Sequence, residues 1–246
     1  MDRMIYTAMT GAKHILEQQA NNSHNLANAT TAGFRAQVDA FRAVAVISEG
    51  LPTRTFVVDS TVGTDFSAGP IQQTGRELDL AMQGKGWIAV EKEDGSEAYT
   101  RHGSLKLNEN GVLQTHSGLN VMGDAGPISV PPDVSITIAK DGTVSSVPVG
   151  GQLSAVTVLG RIKMVNPPED TLVRGDDGLF VLKDGNPADA DAGVTIISGA
   201  LEGSNVNVAD AMVNMINLAR QFEMQMKLIQ NADTNANKAS QILNLS

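Results

Sequence analysis

Leu201–Ser246 reads LEGSNVNVADAMVNMINLARQFEMQMKLIQNADTNANKASQILNLS, and its spacing decides how the rest of the chain is read. Val208, Met215, Phe222, Ile229, Ala236 and Leu243 recur at every seventh residue, and Met212, Ala219 and Met226 fill the alternate positions. Apolar residues in such an a/d pattern predict a long helix whose narrow seam is buried against another helix. At ~1.5 Å per residue the helix is about 55 Å long, more than one compact domain needs. A long helix packed on its own domain is the plain alternative. Against it stand the polar Asp233 and Ser240 at seam positions, which require a specific partner, and the abundance of Met, an adaptable gap-filler. Asn205 or Asn207 is placed to cap the helix, with Asp210 near its positive end.

The partner lies at the other end of the chain. Ile5, Met9, Ala12, Leu16, Ser23 and Leu26 repeat the three-four spacing, and Ala8, Ala20 and Ala27 broaden the stripe. Two β-branched residues and a glycine, in Thr30-Thr31-Ala32-Gly33, stop that helix. The fold class that follows is mixed α and β. Long N- and C-terminal helices form a coiled-coil-like stem, with an inserted all-β domain of short antiparallel strands. The expected divisions are 1–33 for the first stem helix, 34–77 for an extended connector, 78–200 for the β domain, and 201–246 for the second stem helix, paired with 1–33.

Between the helices the period changes from three-four to two. Val44–Ile47 and Thr53–Val58 read as extended segments separated by Gly50-Leu51-Pro52, and Thr61–Thr74 reads as linker. From Leu78 onward, short alternating strands meet at Asx-Gly turns. Trp87–Val90 returns through Asp94-Gly95 as Ala98–Thr100, and Val134–Ile138 returns through Asp141-Gly142 as Thr143-Val144. Asn110-Gly111, Asp177-Gly178 and Asp184-Gly185 mark further turns, the pattern of a sandwich or open barrel.

Composition narrows the chemistry. The 246 residues carry a net charge of −9 with no basic cluster, which argues against nucleic acid and anionic membranes as partners. There is no cysteine, so disulfides and thiolate metal sites are absent. No run of ~18 apolar residues spans a membrane. Asp2 and Arg3 lead straight into an amphipathic pattern containing Lys13, His14 and Glu17, unlike a cleaved Sec signal. His14 and His24 stand about 280° apart on a helix, and His102 and His116 have no ligand spacing around them. Asp189-Ala190-Asp191-Ala192-Gly193 lacks the further carboxylates of a calcium loop. The acidic group Glu91, Glu93, Asp94 and Glu97 flanks a turn, where it protects a strand edge. No catalytic residue, metal ligand or cofactor is assigned.

Asn25-Leu26-Ala27-Asn28-Ala29-Thr30-Thr31-Ala32-Gly33-Phe34 resembles the NNLAN…TPGF motif of the bacterial flagellar axial proteins, which form rod, hook and hook-associated parts. Leu201-Glu202-Gly203-Ser204-Asn205-Val206 with its heptads resembles that family's closing signature, and Gly75–Ala81 and Tyr99–Gly103 resemble its internal motifs. Ala32 stands where the family has proline, which leaves the helix exit less rigidly fixed. MDRMIYTAM, Gly33–Gln37 and Arg220–Lys227 look most like a proximal rod subunit, with a distal rod subunit as the alternative. The resemblance implies a structural component of the basal-body rod. It polymerises head-to-tail into the axial drive shaft that transmits torque and forms the export channel wall. The implied partners are copies of itself, other proximal and distal rod proteins and, during secretion, the flagellar type III export apparatus. The implied location is the periplasmic rod, reached without a cleaved signal peptide, and the implied chain is not an enzyme. An assembly interface is implied at Ile5, Met9, Ala12, Leu16, Leu26, Asn28, Gly33, Phe34, Val208, Met212, Met215, Ala219, Phe222, Met226, Ile229, Ala236 and Leu243. The connector 34–77 would then lie on neighbouring subunits. The competing class is a periplasmic β-domain enzyme or binding module dimerised by a coiled coil. The lack of convergent catalytic groups and an aromatic content of only 4% weigh against it.

Overall fold

A computed structural model describes residues 2–45, 55–148 and 156–243 and divides the chain into two compact units. Unit 1 comprises 1–29, 36–65 and 206–246; unit 2 comprises 30–35 and 66–205. Unit 1 contains α1 (Asp2–Ala27), β1 (Gln37–Ala45) and β2 (Thr55–Thr64), and it ends in the C-terminal helix. β1 and β2 form an antiparallel hairpin running from Gln37↔Thr64 to Ala45↔Thr55, with a bulge at Ala40/Phe41. The Asp65 amide donates to the Ala36 carbonyl at 2.9 Å and closes the hairpin base. The breakers Gly50, Leu51 and Pro52, with Val46 and Ile47, lie outside the described residues.

Unit 2 continues with β3 (Ile71–Gln73), β4 (Leu80–Gln83), β5 (Trp87–Glu91), β6 (Glu97–Thr100), β7 (Leu105–Leu107) and β8 (Leu113–Thr115). It runs on through β9 (Asn120–Gly123), β10 (Gly126–Pro127), β11 (Val134–Ile138), β12 (Thr143–Pro148) and β13 (Thr157–Arg161). It ends with β14 (Met164–Val165), β15 (Leu172–Arg174), β16 (Phe180–Leu182), β17 (Thr195–Ser198) and β18 (Ala200–Glu202). The largest sheet has the order β15-β16-β6-β5-β9-β8-β7, with β10 on β9 and β14 on β5; β11-β12-β13, β17-β4 and β18-β3 form smaller ladders. Period-two alternation explains the core. On β5, Ile88 and Val90 enter one apolar cluster with Leu80, Leu113 and Val121, while Trp87 and Ala89 enter a second with Tyr99, Leu172 and Phe180. The turns sit where Asx-Gly pairs predict them. Val90 faces Ala98 across the Asp94-Gly95 turn, where Gly95 takes φ +80°, a left-handed angle other residues resist.

The chain then enters α2 (Val208–Leu243). Asn207 caps it: its Oδ1 accepts from the Ala209 amide at 3.0 Å, and its Nδ2 donates to Asp210 at 2.7 Å. Here the fold class expected from the sequence needs correction. Among the described residues antiparallel sheets dominate, only two α-helices are present, and these are not a coiled-coil stem carrying an inserted domain. The physical reason lies in the seam. A coiled coil buries both heptad positions, yet Val208, Met212 and Met226 are 40%, 51% and 39% exposed, and Met9 and Leu16 on α1 are 52% and 50% exposed. The side of α2 removed from solvent instead carries Ala211, Met215, Leu218, Phe222, Gln225, Ile229 and Ala232. Helix α1 meets the β1–β2 hairpin as well as α2, through Asn21 to Asp39 and Asn25 to Gln37.

Candidate assembly site

Two stretches far apart in sequence meet inside unit 2. The first is the exit of the N-terminal motif, Gly33-Phe34-Arg35, and the second is Leu201–Asn205 at the end of β18. The Gly33 amide donates to the Glu202 carbonyl at 2.7 Å, and the Asn205 amide to the Phe34 carbonyl at 3.4 Å. Gly33 has φ +69°, and a Cβ there would stand 2.4 Å from the Arg101 carbonyl carbon and oxygen. Only glycine satisfies both the backbone angle and the approach.

The junction is fastened by buried charge. Glu202 Oε1 accepts from Arg35 Nη2 at 2.7 Å and from the Gly69 amide at 3.0 Å, and Oε2 accepts from Arg101 Nη1 at 2.8 Å. All three charged side chains are almost wholly buried. Arg101 Nη2 also donates to the Gly84 carbonyl at 2.7 Å, and its guanidinium lies 5.4 Å from the Trp87 ring centroid. Arg174 donates to the Arg35 carbonyl at 2.8 Å and stacks 4.6 Å from the Phe34 ring. Burial lowers the pKa of Arg101; Glu202 opposes that shift and the Arg35 charge adds to it. Two guanidinium groups facing one carboxylate leave a positive excess, so neither arginine tolerates loss of Glu202. Arg35, Arg101 and Glu202 are absent from the interface inferred from sequence. Their only signal is that each charge falls inside a recognised motif without an opposite charge beside it in the chain.

Unit 1 presents the remaining interface candidates. Ala12 is buried, and Ile5, Leu26 and Asn28 are half-buried on or just after α1, whereas Met9 and Leu16 face solvent. Phe34 is buried and Gly33 half-buried, both in unit 2. On α2, Met215, Phe222 and Ile229 share the half-buried side, and Val208, Met212, Ala219 and Met226 are exposed. The side chains of Ala236 and Leu243 lie outside the described residues. Sequence periodicity passed over Ile15, which is buried on α1, and the exposed Val213, Ile216, Met224 and Leu228 on α2. The α1–α2 contact is close at Gly11, where a Cβ would stand 3.3 Å from Gln225 Nε2.

Among the described residues no group of three metal-ligating side chains forms. Asp191 makes an Asx turn, accepting from the Gly193 amide at 2.8 Å. No described helix is long and apolar enough to cross a membrane.

Comparison with known families agrees with the motifs that meet at Glu202. Residues 197–242 match the flagellar basal body rod FlgEFG protein C-terminal model, and residues 81–146 match the flagellar hook protein FlgE/F/G D1 domain model. These define the class as flagellar rod and hook proteins. Over the full length of both chains, the sequence is 49% identical to flagellar basal-body rod protein FlgF of Escherichia coli K12 and 46% identical to that of Salmonella typhimurium LT2. It is 31% identical to flagellar basal-body rod protein FlgG of Buchnera aphidicola from Schizaphis graminum, over 89% of this chain and 92% of the relative. The chain belongs to the FlgF-like flagellar basal-body rod proteins.

Proposed function

We propose that the chain is a proximal structural subunit of the basal-body rod. It polymerises head-to-tail, with copies of itself and with other proximal and distal rod proteins, into the axial drive shaft and export channel wall. One observation carries the reading. Both helices of unit 1 leave bulky apolar side chains in water, Tyr6, Met9 and Leu16 on α1 and Val208, Met212, Val213, Ile216 and Met226 on α2. Apolar stripes of this extent on a soluble chain mark surfaces that other chains cover. Two different stripes allow one surface of a copy to meet another surface of the next, a heterologous contact that need not close into a ring.

On this reading the polypeptide passes unfolded through the flagellar type III export apparatus and ends in the periplasmic rod. It has no enzymatic activity and takes no cofactor, nucleic acid or bilayer as partner, in keeping with its net charge of −9. The test is co-sedimentation with purified rod proteins, run beside a cell-wall hydrolase assay. Co-sedimentation without turnover is expected. Wall cleavage by a chain that stays in the supernatant would overturn the reading.

A further inference from the structure

Unit 1 carries a cleft of about 410 Å³ between α1, β1 and α2, and its lining is dominated by side-chain amides. Part of that lining is engaged within the unit. Asn25 Nδ2 donates to the Gln37 carbonyl and its Oδ1 accepts from the Gln37 amide, both at 2.8 Å, and Asn22 donates to the Ala211 carbonyl at 2.7 Å. Asp39, the one carboxylate in the lining, accepts from Asn21. Gln18 on α1 and Asn214, Asn217 and Gln221 on α2 also line the cleft, and their side chains make no hydrogen bond among the described residues.

A free side-chain amide offers the same donor and acceptor as a peptide group. Asn214, Asn217 and Gln221 follow three-four spacing, so they share a face and step along it by about 4.5 and 6 Å. A row of amides along one face therefore suits the peptide groups of an uncharged segment laid in the cleft. No lysine or arginine lines it to attract a carboxylate, and its own carboxylate is engaged.

The chain holds a segment of that kind in unit 2. Ser67-Ala68-Gly69-Pro70-Ile71-Gln72-Gln73-Thr74-Gly75 contains no charged residue, and every residue but Gly69 is exposed. It is held from behind: Gly69 donates to Glu202, Pro70 accepts from the Gly203 amide at 2.8 Å, and β3 pairs by one edge with β18. The other edge of β3 has no partner strand among the described residues. We propose that the amide-lined cleft of one copy receives Ser67–Gly75 of a second copy as an added strand, a head-to-tail contact between two different surfaces. The proposal rests on the rod reading, which supplies the neighbouring copies.

The absence of cysteine makes the contact directly testable. Asn217→Cys and Gln72→Cys are placed together in the full-length chain, expressed in the flagellated cell, and basal bodies are isolated and oxidised. A ladder of disulfide-linked chains is expected from the double variant and none from either single variant. Its yield should exceed that of an Asn217→Cys, Asn186→Cys control about tenfold, since only the first pair holds its thiols at high local concentration. Both test positions are exposed, and the amount of each single variant in the basal body is the folding control. Should the first pair lower that amount, Asn214→Cys with Gln73→Cys replaces it. Basal bodies that contain the variants but give no ladder from either pair would overturn the proposal and leave the rod reading intact. Basal bodies from which the unmodified chain is absent would overturn both.

Discussion

At Glu202 one carboxylate holds two buried guanidinium groups and the Gly69 amide. Removing one member of such a group leaves uncompensated charge in the interior, which costs about 3–5 kcal/mol. Glu202→Gln should therefore lower unit 2 stability by that order. Trp87, the single tryptophan, belongs to unit 2 and reports its unfolding by fluorescence in urea. A midpoint unchanged at constant slope would remove the junction from the account. Tyr99 supplies a second prediction. Burial is the main cause that raises its pKa from 10.0 to about 12, against an opposing hydrogen bond from the Ala188 amide. Folding thus favours the neutral phenol. That stability is complete below pH 10 and is lost as pH climbs from 10 through 12. Tyr99→Phe, which has no ionising group, should flatten the loss in melts taken across that range. Gly33 was legible in sequence as part of a helix stop, because β-branched residues and a glycine together break the helical run. Its clash partner at Arg101 was not legible, since nothing local links residues 33 and 101.

At the scale of the element, the long terminal helices were legible from three-four spacing alone, but their registration was not. From Met215, an apolar seam can continue at Leu218 or at Ala219, and both are apolar. The apolar period points to the +4 positions, Met212, Ala219 and Met226, whereas the structure half-buries the +3 series, Leu218, Gln225 and Ala232. Gln225 hid the choice, because an amide on the inward side breaks the apolar pattern that periodicity detects. Its place follows from Gly11, which leaves room for it on α1. Two substitutions separate the sides of α2. Phe222→Glu places a carboxylate on the half-buried side and should destabilise unit 1 by about 2–4 kcal/mol while unit 2 melts as before. Ile216→Glu, at a position 54% exposed, should change monomer stability by less than about 0.5 kcal/mol and still prevent incorporation into basal bodies. Calorimetry for the first effect and immunoblots of isolated basal bodies for the second decide the matter. Ile216→Glu protein found in the rod at normal amount would show that this stripe is not an interface.

At the scale of the whole molecule, the chain passes repeatedly between units: 30–35 and 66–205 form one, and the rest forms the other. The β-rich middle was legible because Asx-Gly turns and two-residue alternation are local signals. The assignment of 36–65 to the helical unit was not, because two extended segments carry no local signal of the unit they pack in. The central claim is that this chain is a building block of the rod, and the most direct measurement is electron microscopy of basal bodies from cells lacking it. Truncated basal bodies without a complete rod, non-motile cells, and restoration of both by the wild-type chain are predicted. Complete rods and normal motility in its absence would contradict the account.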